Sequence, residues 1–219
     1  MRLRAEEISF KYNNNDKYIL EDIDFSIESG EVVGLLAPSG YGKTTLAKIL
    51  AGYEKPTSGQ VVLEGCESRN NGYAPVQLIF QHPEKAVNPK WKMRKILSEA
   101  GMPPQELIDA MGIKESWMDR WPTELSGGEL QRFCCIRVLS EQTKFIIADE
   151  MTTMLDAITQ AQIWNVVLTY AKKHNIGVVV ISHDACLINK VCDRVVSLTG
   201  DKRDVISPHI ETNQISASC

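Results

Sequence analysis

Gly34-Leu35-Leu36-Ala37-Pro38-Ser39-Gly40-Tyr41-Gly42-Lys43-Thr44-Thr45 is a glycine-spaced loop ending in lysine and threonine, a combination suited to holding a polyphosphate. The apolar run Val32–Leu36 before it and the helical pattern Lys43–Leu50 after it supply the strand-to-helix context that such a loop needs. Within Ser39-Gly40-Tyr41-Gly42-Lys43-Thr44-Thr45, backbone N–H groups from Gly40 onward would wrap a β-phosphate. Lys43 would reach the β- and γ-oxygens, and the Thr44 hydroxyl would ligate Mg²⁺. One position departs from the G-x-x-x-x-G-K-[ST] pattern, because Ala37 stands where its first glycine is expected. Alanine would cost about 1 kcal/mol at positive φ and almost nothing at negative φ, and negative φ is the expectation.

A second anion site is written into Glu124-Leu125-Ser126-Gly127-Gly128-Glu129-Leu130-Gln131-Arg132. Ser126 offers a hydroxyl, Gly127 and Gly128 let bare N–H groups approach an anion, and the helix that follows directs its positive end to the same point. A plain serine-capped helix would explain Ser126. It leaves unexplained the two glycines followed by Glu129, Gln131 and Arg132. Farther on, Phe145-Ile146-Ile147-Ala148-Asp149-Glu150 is an apolar strand ending in two carboxylates, and Val178–Ser182 is another strand leading into His183-Asp184.

These groups need elements to position them. Short continuous apolar segments at Val32–Leu36, Val61–Leu63, Val76–Phe80, Phe145–Ala148 and Val178–Ile181 have the pattern of strands covered on both faces in a largely parallel sheet. Lys43–Leu50 and Ile158–His174 carry helical spacing, each with a glycine near its end, Gly52 and Gly177. Trp91 to Leu139 holds helical patterns and no convincing strand, so a helical subdomain is expected between the Val76–Phe80 and Phe145–Ala148 strands. Leu3–Phe10 and Tyr18–Ile27, around Asn13-Asn14-Asn15-Asp16, read as antiparallel strands joined by a polar turn. Little order is expected after Gly200. The expected division is an α/β core at 1–85 and 141–200, a helical subdomain at 86–140 and a short tail at 201–219.

Bulk properties agree with one such unit. The 219 residues are 43% hydrophobic and 24% charged, enough for one substantial core with a subdomain and too little for two full domains. The net charge is −4 with basic residues scattered, which gives no support to a nucleic-acid-binding face. No apolar run approaches the roughly 18 residues needed to cross a bilayer, and the opening residues lack the apolar stretch of a secretion signal, so a soluble cytoplasmic protein is expected. Six cysteines show neither a C-x-x-C pair nor zinc-site spacing, and Cys134 and Cys135 are expected to pack in a core as small apolar residues.

The glycine loop, the Leu125–Arg132 run and the carboxylate strand, in this order, resemble the ATP-binding cassette (ABC) family. The resemblance covers roughly residues 1–200 and implies a P-loop NTPase (RecA-like) α/β core with an N-terminal antiparallel β subdomain and an inserted helical subdomain. It implies ATP with Mg²⁺ and further site residues. Asp149 would hold the metal and Glu150 would act as general base, as in a Walker B segment. Gln81 would sense metal and water, and His183 would contact the γ-phosphate, although a lone histidine is more often structural. Met154-Leu155-Asp156 is similar to the end of the D-loop, which puts Asp156 at a dimer seam; a helix N-cap is an equally good reading. Tyr12 matches the adenine-stacking aromatic, a reading preferred to the plain alternative of a tyrosine on a sheet surface. Met151 departs from the usual proline after the glutamate.

In this family Ser126, Gly127, Gly128 and Glu129 of one cassette close the Lys43 half-site of another, so the resemblance implies a second ATPase subunit, identical or paralogous. Gln81-His82-Pro83-Glu84-Lys85-Ala86-Val87-Asn88-Pro89 and Gln160-Ala161-Gln162 are similar to the ATPases of oligopeptide, dipeptide and nickel importers. That implies separate membrane permease subunits docking near Gln81–Trp91, an external substrate-binding protein, and a place on the cytoplasmic face of the membrane. Cargo stays open between nickel and small peptides, with a slight lean to nickel. The competing readings are a soluble cassette acting on ribosomes or DNA, and a binding-only cassette without turnover.

Overall fold

A computed structural model describes residues 1–13, 16–65, 72–198 and 204–206. In chain order the strands and helices are β1 (Arg2–Phe10), β2 (Leu20–Glu28), β3 (Val32–Leu36), α1 (Lys43–Leu50), β4 (Ser58–Glu64) and β5 (Val76–Ile79). Then come α2 (Met93–Leu97), α3 (Gln105–Ala110), α4 (Glu115–Met118), α5 (Gly127–Arg137), β6 (Phe145–Asp149) and α6 (Ala157–His174). The chain continues through β7 (Gly177–Ile181), α7 (Ala185–Val191), β8 (Arg194–Ser197) and β9 (Asp204–Ile206).

Two sheets form. β2-β1-β4 is antiparallel, and β5-β6-β7-β3-β8-β9 is parallel except for β9. The central strands are buried on both faces, and the period-2 alternation of β-structure sends successive side chains to opposite sides. Val33, Ile147 and Val179 face a core shared with α1 and the antiparallel sheet; Ile146, Ala148, Val178 and Val180 face a second core with α5 and α6. Arg194 on β8 ties the two sheets by donating to the Ser26 carbonyl at 2.6 Å and to Glu31 at 2.5 Å. Burial alone would raise the Glu31 carboxyl, but the hydrogen bond and charge of Arg194 hold it below its ordinary value.

Three expectations need correction. Val61–Leu63 lies in β4, which pairs antiparallel with β1, Leu3 opposite Leu63, instead of joining the parallel sheet. A short apolar run carries no directional information, and here its side chains are only half-buried. The long helix ends on left-handed Asn175, φ 53°, and Gly177 opens β7 instead of closing α6. After Gly200, where little order was expected, Asp204–Ile206 pairs with β8. The Asn14-Asn15 part of the first turn and residues 199–203 and 207–219 lie outside the described residues, as do Cys66, Cys219 and His209.

From residue 91 to residue 139 the chain is helical or irregular with no strand, which builds the helical subdomain on one side of the sheet. No described helix is long and apolar enough to cross a membrane.

Candidate functional site

Four parallel strands point the same way, so the loops after β3, β5, β6 and β7 collect along one edge of the sheet. This carboxyl edge is where open α/β sheets place their ligands. It carries the glycine loop, Gln81, the Asp149-Glu150 pair and His183.

The loop from Ala37 to Gly42 turns from β3 into α1 with Gly40 and Gly42 at φ 83° and 80°, a conformation that aims successive N–H groups inward. Ala37 is absent from the positive-φ residues, so its methyl group is unstrained. Lys43 is buried, 7% exposed, and its Nζ donates to the carbonyls of Ala37 at 2.7 Å and Pro38 at 3.2 Å. The ammonium therefore lies along the loop it would share with a phosphate. Ser39, Gly40, Tyr41 and Thr44 are exposed, whereas Thr45 is buried under the loop.

Asp149 is 5% exposed and hydrogen-bonded to the Thr44 side chain. Burial pushes its carboxyl up, the Glu150 charge pushes the same way, and the Thr44 hydrogen bond, Lys43 and Lys48 pull it down. A buried carboxylate next to a hydroxyl is a hard-oxygen pair that fits Mg²⁺.

Glu150 joins three elements. Gln81 Nε2 donates to its Oε2 at 2.9 Å, and His183 Nε2 lies 2.8 Å from its Oε1. The Glu150 N–H donates to the Ile181 carbonyl at 2.9 Å, and the residue is held at φ 49°, uncommon for a non-glycine residue. Beside it, a cavity of about 310 Å³ bounded by Gln160, Trp164, His183 and Leu187 leaves room for water. Met151, in place of the usual proline, is 3% exposed, and its Sδ is 3.9 Å from Cys135 Sγ. The departure is thus absorbed by packing: the thioether fills the junction between α5 and the turn after β6. Burial raises the thiols of Cys134 and Cys135, the former to about 12, so both remain protonated core residues.

Other residues from the sequence reading sit apart from this cluster or have structural partners. Ser126 caps α5 by accepting from the Glu129 N–H at 3.3 Å while Glu129 Oε2 accepts from the Ser126 N–H at 2.8 Å, a capping box. Gly127 is exposed beside them. Asp156 is the N-cap of α6, accepting from Ile158 and Thr159; the Thr159 and Ile158 hydrogen bonds hold its carboxyl below the ordinary value. Tyr12 is 56% exposed and packs edge-on against Phe10 with centroids 5.0 Å apart, leaving its outer face open.

Sequence reasoning missed the bracing roles of two groups. Gln131, 2% exposed, donates to the Phe80 carbonyl at 3.4 Å and so braces the residue before Gln81; Trp164 Nε1 donates to Thr152 Oγ1 at 3.1 Å and braces the turn after Glu150. Gln131 was legible only as part of its motif, since nothing local says where a buried amide points.

Residues 20–153 match the family described as ABC transporter. A probable D,D-dipeptide transport ATP-binding protein of Escherichia coli is 34% identical over 190 residues, 81% of this chain, which spans 60% of that relative's length. A nickel import system ATP-binding protein of Staphylococcus aureus is 32% identical over 209 residues, 90% of this chain and 86% of the relative. Among solved structures, a dimeric ATP-binding cassette in a post-hydrolysis state with ADP and phosphate aligns at TM-score 0.77 and 21% identity, covering 93% of this chain and 98% of the other. An ATP-binding subunit of an ABC transporter aligns at TM-score 0.78 and 20% identity, covering 94% and 90%. At these identities the structures speak for the fold alone.

Proposed function

This chain belongs to the ABC transporter family, and on that premise we propose that it is the ATP-hydrolysing subunit of an importer, working through separate membrane subunits. The observation that carries the reading is the Glu150 carboxylate held between Gln81 and His183, on the same sheet edge as Lys43, Thr44 and Asp149. Names of the relatives support nickel or small peptides as the cargo class, with a metal chelate kept as a variant of the first. They give no support to a soluble cassette acting on ribosomes or DNA.

In this reading Ser39 to Thr45 cradle the phosphates by backbone N–H groups, and Lys43 exchanges its loop carbonyls for β- and γ-oxygens. Thr44 and Asp149 would hold Mg²⁺, and Gln81 would sense it together with the attacking water. Mg²⁺, when bound, supplies positive charge that offsets the developing charge on the phosphate oxygens. Glu150 accepts the proton of water as its oxygen attacks the γ-phosphorus and the bond to the β–γ bridging oxygen breaks. His183 positions that water and the γ-phosphate, and Tyr12 offers its open face to adenine.

A second cassette, identical or paralogous, supplies Ser126, Gly127, Gly128 and Glu129 to the far side of the triphosphate, and Asp156 lies at the seam. Closure around ATP and opening after hydrolysis turn differential affinity into motion. The core takes residues 1–85 and 141–200 and the helical subdomain 86–140. Permease subunits dock near Gln81–Trp91 on the cytoplasmic face of the membrane, and an external binding protein delivers cargo.

Phosphate release by the purified chain tests the enzyme reading. Glu150→Gln is expected to lower the rate by at least about 100-fold while nucleotide still binds. Equal background rates in both proteins would sink it.

A further inference from the structure

Of the Gln160-Ala161-Gln162 run, Gln160 lines the cavity beside Glu150, whereas Gln162 does not. Gln162 instead sits where three elements meet. Its Oε1 accepts from Arg132 Nη1 at 2.9 Å, and its Nε2 donates to the Ala110 carbonyl at 3.0 Å. Arg132 Nη1 also donates to the Met111 carbonyl, and Nη2 approaches Thr159 Oγ1 at 3.4 Å. An arginine from α5, two carbonyls at the end of α3 and two side chains from the first turns of α6 thus close one polar brace. A planar guanidinium with fixed donors is suited to this, because it spans several acceptors while losing little rotamer freedom per bond. The end of α3 is also the negative end of that helix, which favours a cation.

The same elements touch again nearer the nucleotide edge. A Cβ built on Gly128 would stand 3.1 Å from Leu155 Cδ2, so the Leu125–Arg132 segment and the loop before α6 are packed without a gap. From α6 the path continues to Glu150. Trp164 Nε1 holds Thr152, Leu155 N–H donates to the Thr152 carbonyl at 3.1 Å, and Thr153 Oγ1 donates to the Glu150 carbonyl at 2.9 Å.

We infer that Arg132 and Gln162 are positioning residues that make α5, the end of α3 and the start of α6 one mechanical unit, so that a nucleotide gripped at Ser126–Gly128 resets Glu150 of the same chain. The inference rests on the reading that the second cassette is another copy of this chain, whose nucleotide is gripped there. It gives the paired sites a physical reason to fire together: the chain that closes one nucleotide moves its own base toward the other.

The full chain tests this in two backgrounds. In Glu150→Gln, Mg-ATP is expected to drive self-association measured by light scattering. With Glu150 intact, Gln162→Leu, which keeps the volume but loses both hydrogen bonds, should lower the Hill coefficient for ATP hydrolysis from about 2 to about 1. It should also cut kcat about tenfold while fluorescent-nucleotide affinity changes less than about twofold. Gln162→Glu still accepts from Arg132 but no longer holds the Ala110 carbonyl, and should keep part of the cooperativity. If Gln162→Leu fails to fold, Thr159→Val is read the same way, with a smaller fall. An unchanged Hill coefficient in Gln162→Leu, with only the melting temperature lowered, overturns the inference. Absence of ATP-driven association in Glu150→Gln sinks the two-copy reading, and the inference with it.

Discussion

Glu150 at φ 49° sits in a region that costs a residue with a Cβ roughly 1–2 kcal/mol, and the cost is borne at the one carboxylate that both Gln81 and His183 contact. Left-handed backbone there turns the side chain back over the sheet edge as the chain leaves β6. Comparing Glu150→Gly with Glu150→Ala isolates the backbone from the lost carboxylate. The glycine variant is expected to be about 1 kcal/mol more stable by urea unfolding, although neither turns over ATP. Its neighbour Asp149 stores strain of another kind. Burial raises its pKa above the ordinary 3.8, so the charged form carries a cost in the folded state at neutral pH, a cost that fades as pH falls through the raised value toward the unfolded one. Asp149→Asn should therefore raise the melting temperature at pH 7 without nucleotide, with the gain shrinking toward pH 4. A lower melting temperature at pH 7 would show that Thr44 and Lys43 already offset the burial.

At the scale of elements, α5 shows how one residue serves fold and site at once. Ser126 is the N-cap, closing a capping box with Glu129, and it is also the hydroxyl proposed to meet a phosphate. Ser126→Ala should cost about 1 kcal/mol of stability and lower turnover. Ser126→Asp separates the roles: aspartate caps as well as serine, so stability is retained, but its negative charge opposes a phosphate and turnover is lost. Denaturant unfolding and phosphate release on the same samples check both halves. The α5 start was legible because cap, glycines and helix lie within a few residues. Arg194 on β8 was not, since its partners Ser26 and Glu31 lie far away in sequence and the strand itself is short.

For the whole molecule, ligand linkage follows from the site's construction. Mg-ATP at about 100 times its dissociation constant should stabilise the folded chain by about 2.7 kcal/mol, seen as a raised melting temperature. Chelating Mg²⁺ should remove part of that gain in the parent and none in Asp149→Asn, because the carboxylate proposed to hold the ion is gone; an equal loss in both would move the metal away from Asp149. The helical stretch from residue 91 to residue 139 leans on α6 and the sheet through apolar packing and the Arg132–Gln162 brace, and the enzyme edge lies on the sheet side.

The linear order of residues determined what could be decided locally. The phosphate cradle, the capped glycine start of α5, the carboxylate pair and the helical insertion each depend on groups a few positions apart, whose backbone geometry and chemistry are set by their immediate neighbours. Tertiary structure alone decided who meets whom. Strand order β5-β6-β7-β3 brings Gln81 and His183 to opposite oxygens of Glu150, antiparallel pairing with β1 claims Val61–Leu63, and α5 folding against α6 closes the brace. Those outcomes depend on which apolar faces bury each other across long stretches of chain, and period-2 or period-3.6 patterns report that a face is buried without naming its partner.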